Sequence, residues 1–429
     1  MKYFLNILTI FLFIFLPNNG IANTLLDSLQ SAYLNNDKLN AERANMRASK
    51  EEKREAASEF LPNITISAYN SAQTDTDASD QDTYIEPKQR SLLVEQKIFQ
   101  GFAGVAKLQK KRKGQQLGEF KLKKVEQEVL LEAAKAHTEL LLNKKKVNFN
   151  IDNVDLLERQ VETDQNRLEK GEINLTDLAQ SESSLAGAKA KLIAAKNDLV
   201  TSRLNYEKIT GKKFTDDVQS TNTTNLNLPQ SLANSYLISK SENPDLQVAF
   251  LEYEQSKLDV VIAGSELSPS AKLSYEISEQ DDISSTVQEK TQQTVKGTVT
   301  WPLFSGGKNA FNYRKFQEIK NQKELLFKDR EKTTETNVAN AWSNYQSSKS
   351  VLDAIRSQVK AAEIANEGIT LEYESGNSRT TLEVIQSRSI LLNSRINLAS
   401  SERNFLISQF NLLSTIGRLT ANQLNLNSN

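Results

Sequence analysis

There is no cysteine among the 429 residues and only one histidine, His137. The first absence excludes disulfides, thiolate metal sites and a lipid-modified N-terminal cysteine. The two together leave too few ligands for an ordinary zinc site and a single histidine for any catalytic triad, so no metal or cofactor is expected. His137 lies among Ala133, Ala136, Leu140 and Leu141, where a packing role is expected of it. Charge of one sign is not in excess, with 53 basic and 54 acidic residues. A nucleic-acid partner would call for a basic surplus, so none is expected. Prolines number only seven, which leaves two proline-free runs of more than a hundred residues. After residue 22 no apolar stretch approaches the roughly 18 residues of a membrane-spanning helix. Ser305-Gly306-Gly307-Lys308 is not a phosphate loop, because the upstream glycine and the following Ser or Thr are missing. A strand-to-helix bend is its expected role.

The N-terminus does contain a short apolar run, Ile7 to Leu16, behind Lys2 and ahead of Gly20 and Ala22. This reads as a secretory signal peptide over residues 1–22, which exports the rest of the chain. With no second helical anchor, anything that holds the chain in a membrane must be of another kind.

The chain is organised around two reversals, RLEKGEINLTDLAQ at 167–180 and LEYESGNSRTTLEVIQ at 371–386. After the first, Leu178, Leu185, Leu192, Leu199 and Tyr206 recur every seven residues, with Ser181, Ala188, Ala195, Ser202 and Ile209 three behind. After the second, Val384, Leu391, Leu398, Phe405 and Leu412 keep the spacing, with Ser387, Ser394, Ser401, Ser408 and Thr415 behind. Such a repeat predicts supercoiled helices with closely approaching backbones. A common offset superimposes the seams and Gly211 on Gly417, which suggests tandem repeats at 23–228 and 229–429, although two unrelated amphipathic helices are the plainer alternative. One residue, at 377 or 378, is expected to be inserted in the second turn.

Each copy is predicted to begin with an entry helix (24–60 and about 230–266), stopped by Pro62 or Pro269. A pair of strands follows, then a long helix and a shorter return helix. In the strands Ile64, Ile66 and Ala68, then Leu92, Val94 and Ile98, then Ala271, Leu273, Tyr275 and Ile277, then Val295, Val299, Trp301 and Leu303 fall on one face at the two-residue period. The long helices run to about 70 residues, or roughly 105 Å, and a return and an entry helix stacked end to end would span one of them. The fold class is therefore mainly α with a small β part. Four strands with one apolar face suit either a soluble sheet packed on its own helices or a share of an outer-membrane barrel closed by several chains.

NPDLQVAFLEYEQSKLDVVIAGSELSPSAKLS at 243–274, WPLFSGGKNAFNYRKFQ at 301–317 and both turn motifs resemble the TolC-type outer-membrane efflux proteins; KIFQGFAGVAKLQ at 97–109 is a looser counterpart of the second stretch. The resemblance implies a homotrimer in the outer membrane, with a shared 12-stranded β-barrel in contact with lipid and a periplasmic α-helical barrel. It also implies a periplasmic adaptor (membrane fusion) protein and an inner-membrane RND or ABC transporter as partners, in efflux or type I secretion. At the helix tips it implies gate ties at Thr176, Asp177, Tyr373 and Arg379, and a pore constriction at Glu383 and Gln386. The family's second acidic ring falls on neutral Gln386 here. A periplasmic coiled-coil adaptor without a pore is the alternative, and no constellation of residues suggests an enzyme.

Overall fold

The computed structural model describes residues 24–76, 82–213, 226–284, 287–375 and 379–426. The expected signal peptide, most of the polar connector and the expected insertion at 377–378 lie outside these. Helices α1 (Leu25–Asn35), α2 (Asp37–Ser58), α3 (Ala103–Glu169) and α4 (Leu175–Thr210) are followed by α5 (Leu232–Glu242), α6 (Pro244–Ser265), α7 (Lys308–Glu374) and α8 (Thr381–Ile416). The two sets have the same lengths, 11, 22, 67 and 36 residues. From α3 to α7 the step is 205 (103 to 308), and from α4 to α8 it is 206 (175 to 381). No helix among the described residues is long and apolar enough to cross a membrane.

The expected single entry helices are each broken in two. At Asn36 and Asn243 the backbone turns extended, and each side-chain oxygen caps the next helix by accepting from the amide of Leu39 or Leu246. Each side-chain amide also donates to the end of a return helix, Asn36 to the Ile209 carbonyl at 3.1 Å and Asn243 to the Thr415 carbonyl at 2.8 Å. One asparagine thus satisfies orphan groups of two helix ends at once. It forms the joint at which α2 sits above α4, and α6 above α8. At 1.5 Å per residue the 67-residue helices are about 100 Å long, and each is flanked by such a stack.

Along the middle of the seams the small positions lie deepest, while toward the ends Tyr206, Val384 and Leu412 are buried as well. Ser181, Ala188, Ala195 and Ser202 on α4, and Ser387, Ser394, Ser401 and Ser408 on α8, are buried within the chain, while Leu185, Leu192, Leu391 and Leu398 are half-covered. Helix α3 buries twenty-one residues and α7, of equal length, seven. α3 is packed by α1, α2, α4, α6 and α8, whereas the main neighbours of α7 within the chain are α5, α6 and α8. One flank of α7 is therefore left bare.

The main apolar core lies at mid-height as a belt of α1, α5, neighbouring turns of α3, α7 and α8, and the C-terminal residues. Gly417 ends α8 at φ +90°, and a side chain there would overlap the Glu242 carbonyl. Beyond it Leu419, Ala421, Leu424 and Leu426 tuck into the belt; Arg418 pairs with Glu242 at 2.7 Å, and the Ala421 amide donates to Glu126 at 2.7 Å. Burial raises the Glu126 carboxyl above the usual range.

His137 is buried against α1, with Nδ1 2.8 Å from Ser28 Oγ, which lies 2.9 Å from the Tyr206 hydroxyl. Burial lowers its pKa to about 4 from an ordinary value near 6.5. The folded chain holds it neutral, so its contribution is complete above pH 6.5 and is lost as pH falls toward 4. Chemical denaturation is expected to show a loss of about 2 kcal/mol per chain between pH 7 and pH 5. His137→Gln should flatten that part of the profile; an unchanged slope would mean that other groups set it.

Strands β1 (Asn63–Asn70), β4 (Lys88–Gln100), β5 (Ser270–Ser284) and β6 (Val287–Thr300) form one antiparallel sheet in the order β1-β4-β5-β6. Short strands β2 (Gln73–Thr76) and β3 (Asp82–Ile85) pair separately. Ile66 stands opposite Leu92, Leu92 opposite Ile277, Val94 opposite Tyr275 and Tyr275 opposite Val295, so one face is apolar across all four strands. The other face carries Thr65, Ser67, Ser91, Glu95, Lys272, Ser274, Lys296 and Thr298, with Lys272 and Glu95 paired at 2.7 Å. A bulge between Lys97 and Phe99 sets Phe99, rather than the expected Ile98, opposite Ala271. Sequence alternation also carried the last strand through Trp301 and Leu303; it ends at Thr300, and both residues stand exposed on the connection to α7.

Two consecutive left-handed residues turn each strand into its long helix, Gly101 and Phe102 before α3, Gly306 and Gly307 before α7. Glycine adopts this conformation freely. Phe102 does so under strain and packs edge-on to Phe99 at 5.5 Å.

Candidate functional site

The two hairpin tips are built alike. Asn174 and Asp177 form a capping box at the start of α4, and Thr380 and Glu383 form one at the start of α8. Each box satisfies two orphan amides and fixes the angle at which the chain leaves the turn. Asp177 thus holds its own helix end, accepting from the Asn174 amide at 3.4 Å, and Thr176 beside it is exposed. Glu383 takes the Thr380 amide at 2.8 Å and Arg379 at 3.0 Å, while Arg379 also reaches Glu372 at 2.6 Å. The Thr380 amide, followed by Arg379, holds the Glu383 carboxyl below its ordinary range. Within one chain, then, Arg379 staples its own hairpin. Gln386 is exposed one turn along α8.

Tyr373 is brought somewhere else. It is buried, and its hydroxyl donates to Asp164 Oδ1 at 3.1 Å and lies 3.1 Å from Thr381 Oγ1. Asp164 is fully buried and also accepts from Ser181 at 2.5 Å and from Gln160 at 3.0 Å. Arg388 donates to Gln160 Oε1 at 3.3 Å, with its basicity lowered by burial. Arg167 covers the Tyr373 ring at 4.7 Å. Residues of α3, α4, α7 and α8 meet in this one knot, which joins the first hairpin to the second just above the tips.

Asp164, Gln160, Ser181 and Arg388 were not singled out from sequence. The available signal was the position of Asp164, seven residues after Leu157 and three after Val161, an acid on the seam of the helix.

A sheet with one apolar and one polar face, continuous with helical rods of about 100 Å, defines a class: outer-membrane channel subunits with a large helical periplasmic portion. The model of the outer membrane efflux protein family matches residues 28–212 and 238–418. The chain belongs to the outer membrane efflux protein family. It is 27% identical over 411 residues to the outer membrane efflux protein BepC of Brucella suis biovar 1 (strain 1330), covering 95% of this chain and 88% of that one. Identity to the outer membrane protein TolC of Escherichia coli (strain K12) is 23% over 431 residues, covering 94% and 84%. Among solved structures, the Campylobacter jejuni CmeC outer membrane channel superposes with a TM-score of 0.83 at 15% identity, covering 92% of this chain and 86% of that one. CusC superposes with a TM-score of 0.81 at 15% identity, covering 92% of each. These relatives are channel and efflux proteins rather than enzymes.

Proposed function

We propose that three copies of this chain form the outer-membrane exit duct of a tripartite system, passing small toxic compounds or polypeptides from an inner-membrane RND or ABC transporter through a periplasmic adaptor. Each copy supplies two tandem repeats, 23–228 and 229–429. The observation that carries this reading is the two-faced sheet with β1 and β6 at its open edges. Strand directions alternate along it, so β6 of one copy meets β1 of the next in antiparallel sense, and three copies close a 12-stranded barrel with lipid outside and water within. The bare flank of α7 is where the neighbouring copy packs.

The resting duct is closed at the tips by two kinds of contact. The buried knot at Asp164 and Tyr373 ties the hairpins of one chain. Thr176, Asp177 and Arg379 at the exposed surface meet neighbouring copies, and Glu383 and Gln386 face the constriction. The test is planar-bilayer recording on trimers purified from the outer-membrane fraction. Discrete cation-selective channels are expected. Arg379→Ser should raise their conductance only modestly, because its ion pairs are solvent-screened. Glu383→Gln should weaken cation selectivity and divalent block. A soluble periplasmic species without conductance would favour an adaptor instead.

A further inference from the structure

Where α6 stacks on α8, a recess of about 390 Å³ opens between α3 and α7. That volume falls in the range of small-molecule sites, about 300–1,000 Å³. Gln127 lines it from α3, 3% exposed, and its Nε2 has no hydrogen-bond partner. A buried donor left unmet is unfavourable and is relieved by any ligand that offers it an acceptor. Arg330, Asn337, Asn340 and Asn344 line the recess from α7 and Asn411 from α8. Arg330 is exposed and has no ion pair among the described residues. The two acids of the lining are already neutralised, Asp245 by Lys124 at 2.7 Å and Glu128 by Lys38 at 2.8 Å. One guanidinium fork and five carboxamides, four of them exposed or half-exposed, are thus presented together.

On α3 the recess residues Lys124 and Glu128 lie on the helix face opposite Glu126, Leu130 and Ala133, which meet the belt, and Gln127, three residues before Leu130, lies between the two faces. A ring of helices enclosing a duct must carry its extra layer outside, so the face opposite the belt is the inner one.

We propose that this recess is a lumenal binding site for a small hydroxyl-rich carboxylate; the placement in the lumen rests on the duct reading above. The guanidinium fork matches a carboxylate in bidentate fashion. The carboxamides each offer donor and acceptor to hydroxyls, and Gln127 Nε2 gains the partner it lacks. Three such sites ring the lumen at mid-height, so a solute of this class is held briefly on its way through.

Calorimetry on the detergent-solubilised trimer tests the site with sodium gluconate, and with sodium propionate as an anion without hydroxyls. Saturable gluconate binding, one per chain and tighter than propionate, is the expected result. Arg330→Gln should weaken it about tenfold or more, the scale of one charge-assisted hydrogen bond, and Gln127→Leu should weaken it less. Arg330→Lys, which keeps the charge and removes the fork, should fall between. Absence of saturable heat, equal binding of propionate, or an Arg330→Gln trimer that binds like the parent would overturn the site. Bilayer recording of the parent separates the two readings: conductance without gluconate binding sinks the site and keeps the duct, and gluconate binding without conductance does the reverse.

Discussion

Asp164→Ala is expected to open the periplasmic end: single-channel conductance of the trimer rises several-fold, and trypsin gains access to the tips while the trimer stays assembled. The carboxyl group accepts from Ser181, Gln160 and Tyr373 in a site closed to solvent. Truncation strands three donors and removes one of the negative charges that act on Arg388, Glu374 being the other. Each buried donor left without a partner costs about 1–3 kcal/mol. The hairpins regain hydration for these groups only by moving apart, so the cost is relieved through opening. The exposed Arg379 staple has no such leverage, because water replaces its partners without any movement. Asp164→Asn, which keeps an acceptor oxygen and the shape, should open the duct less than Asp164→Ala. If Asp164→Ala conducts like the parent, the knot is a packing feature and the closure lies wholly between chains.

Val299→Arg and Leu273→Arg are expected to deplete assembled trimer from the outer membrane. Both residues lie on the apolar face, 74% and 46% exposed in the single chain. Arginine at mid-membrane depth on a lipid-facing strand costs about 2–4 kcal/mol, and in a trimer the change is made three times over. Thr298→Arg and Ser274→Arg, one residue away on the face that already carries the Lys272–Glu95 pair, should assemble normally. Heat-resistant trimer on gels measures all four. Equal tolerance at the four positions would mean that the sheet is not a wall between lipid and water.

The seams, turns and strands were legible because each leaves a periodic trace: seven residues for packed helices, two for a sheet with unlike faces. The break at Asn36 was not, since YLNNDKLN contains neither proline nor glycine and asparagine is tolerated within helices. Its counterpart does leave a trace. Asn243 is followed by Pro244, the residue favoured at the first helical position, and carrying that mark across the repeat would have found Asn36. The bulge after Lys97 left none, because its register is set by pairing with β5, more than 170 residues away. The knot was half legible. Tyr373 stands in a tip motif, but its partner Asp164 lies 209 residues earlier, joined to it only by the packing of two hairpins.

The open edges of the sheet bear on how such a subunit can be made at all. A lone chain displays the unpaired backbone of β1 on one side and β6 on the other, and the two edges are complementary to each other across copies. Subunits meeting in water in any number other than the closing one would leave a growing ribbon instead of a ring, with its greasy face bare. Ring closure and entry into lipid therefore have to coincide: the step that hides the last edge is also the step that gives the apolar face somewhere to go.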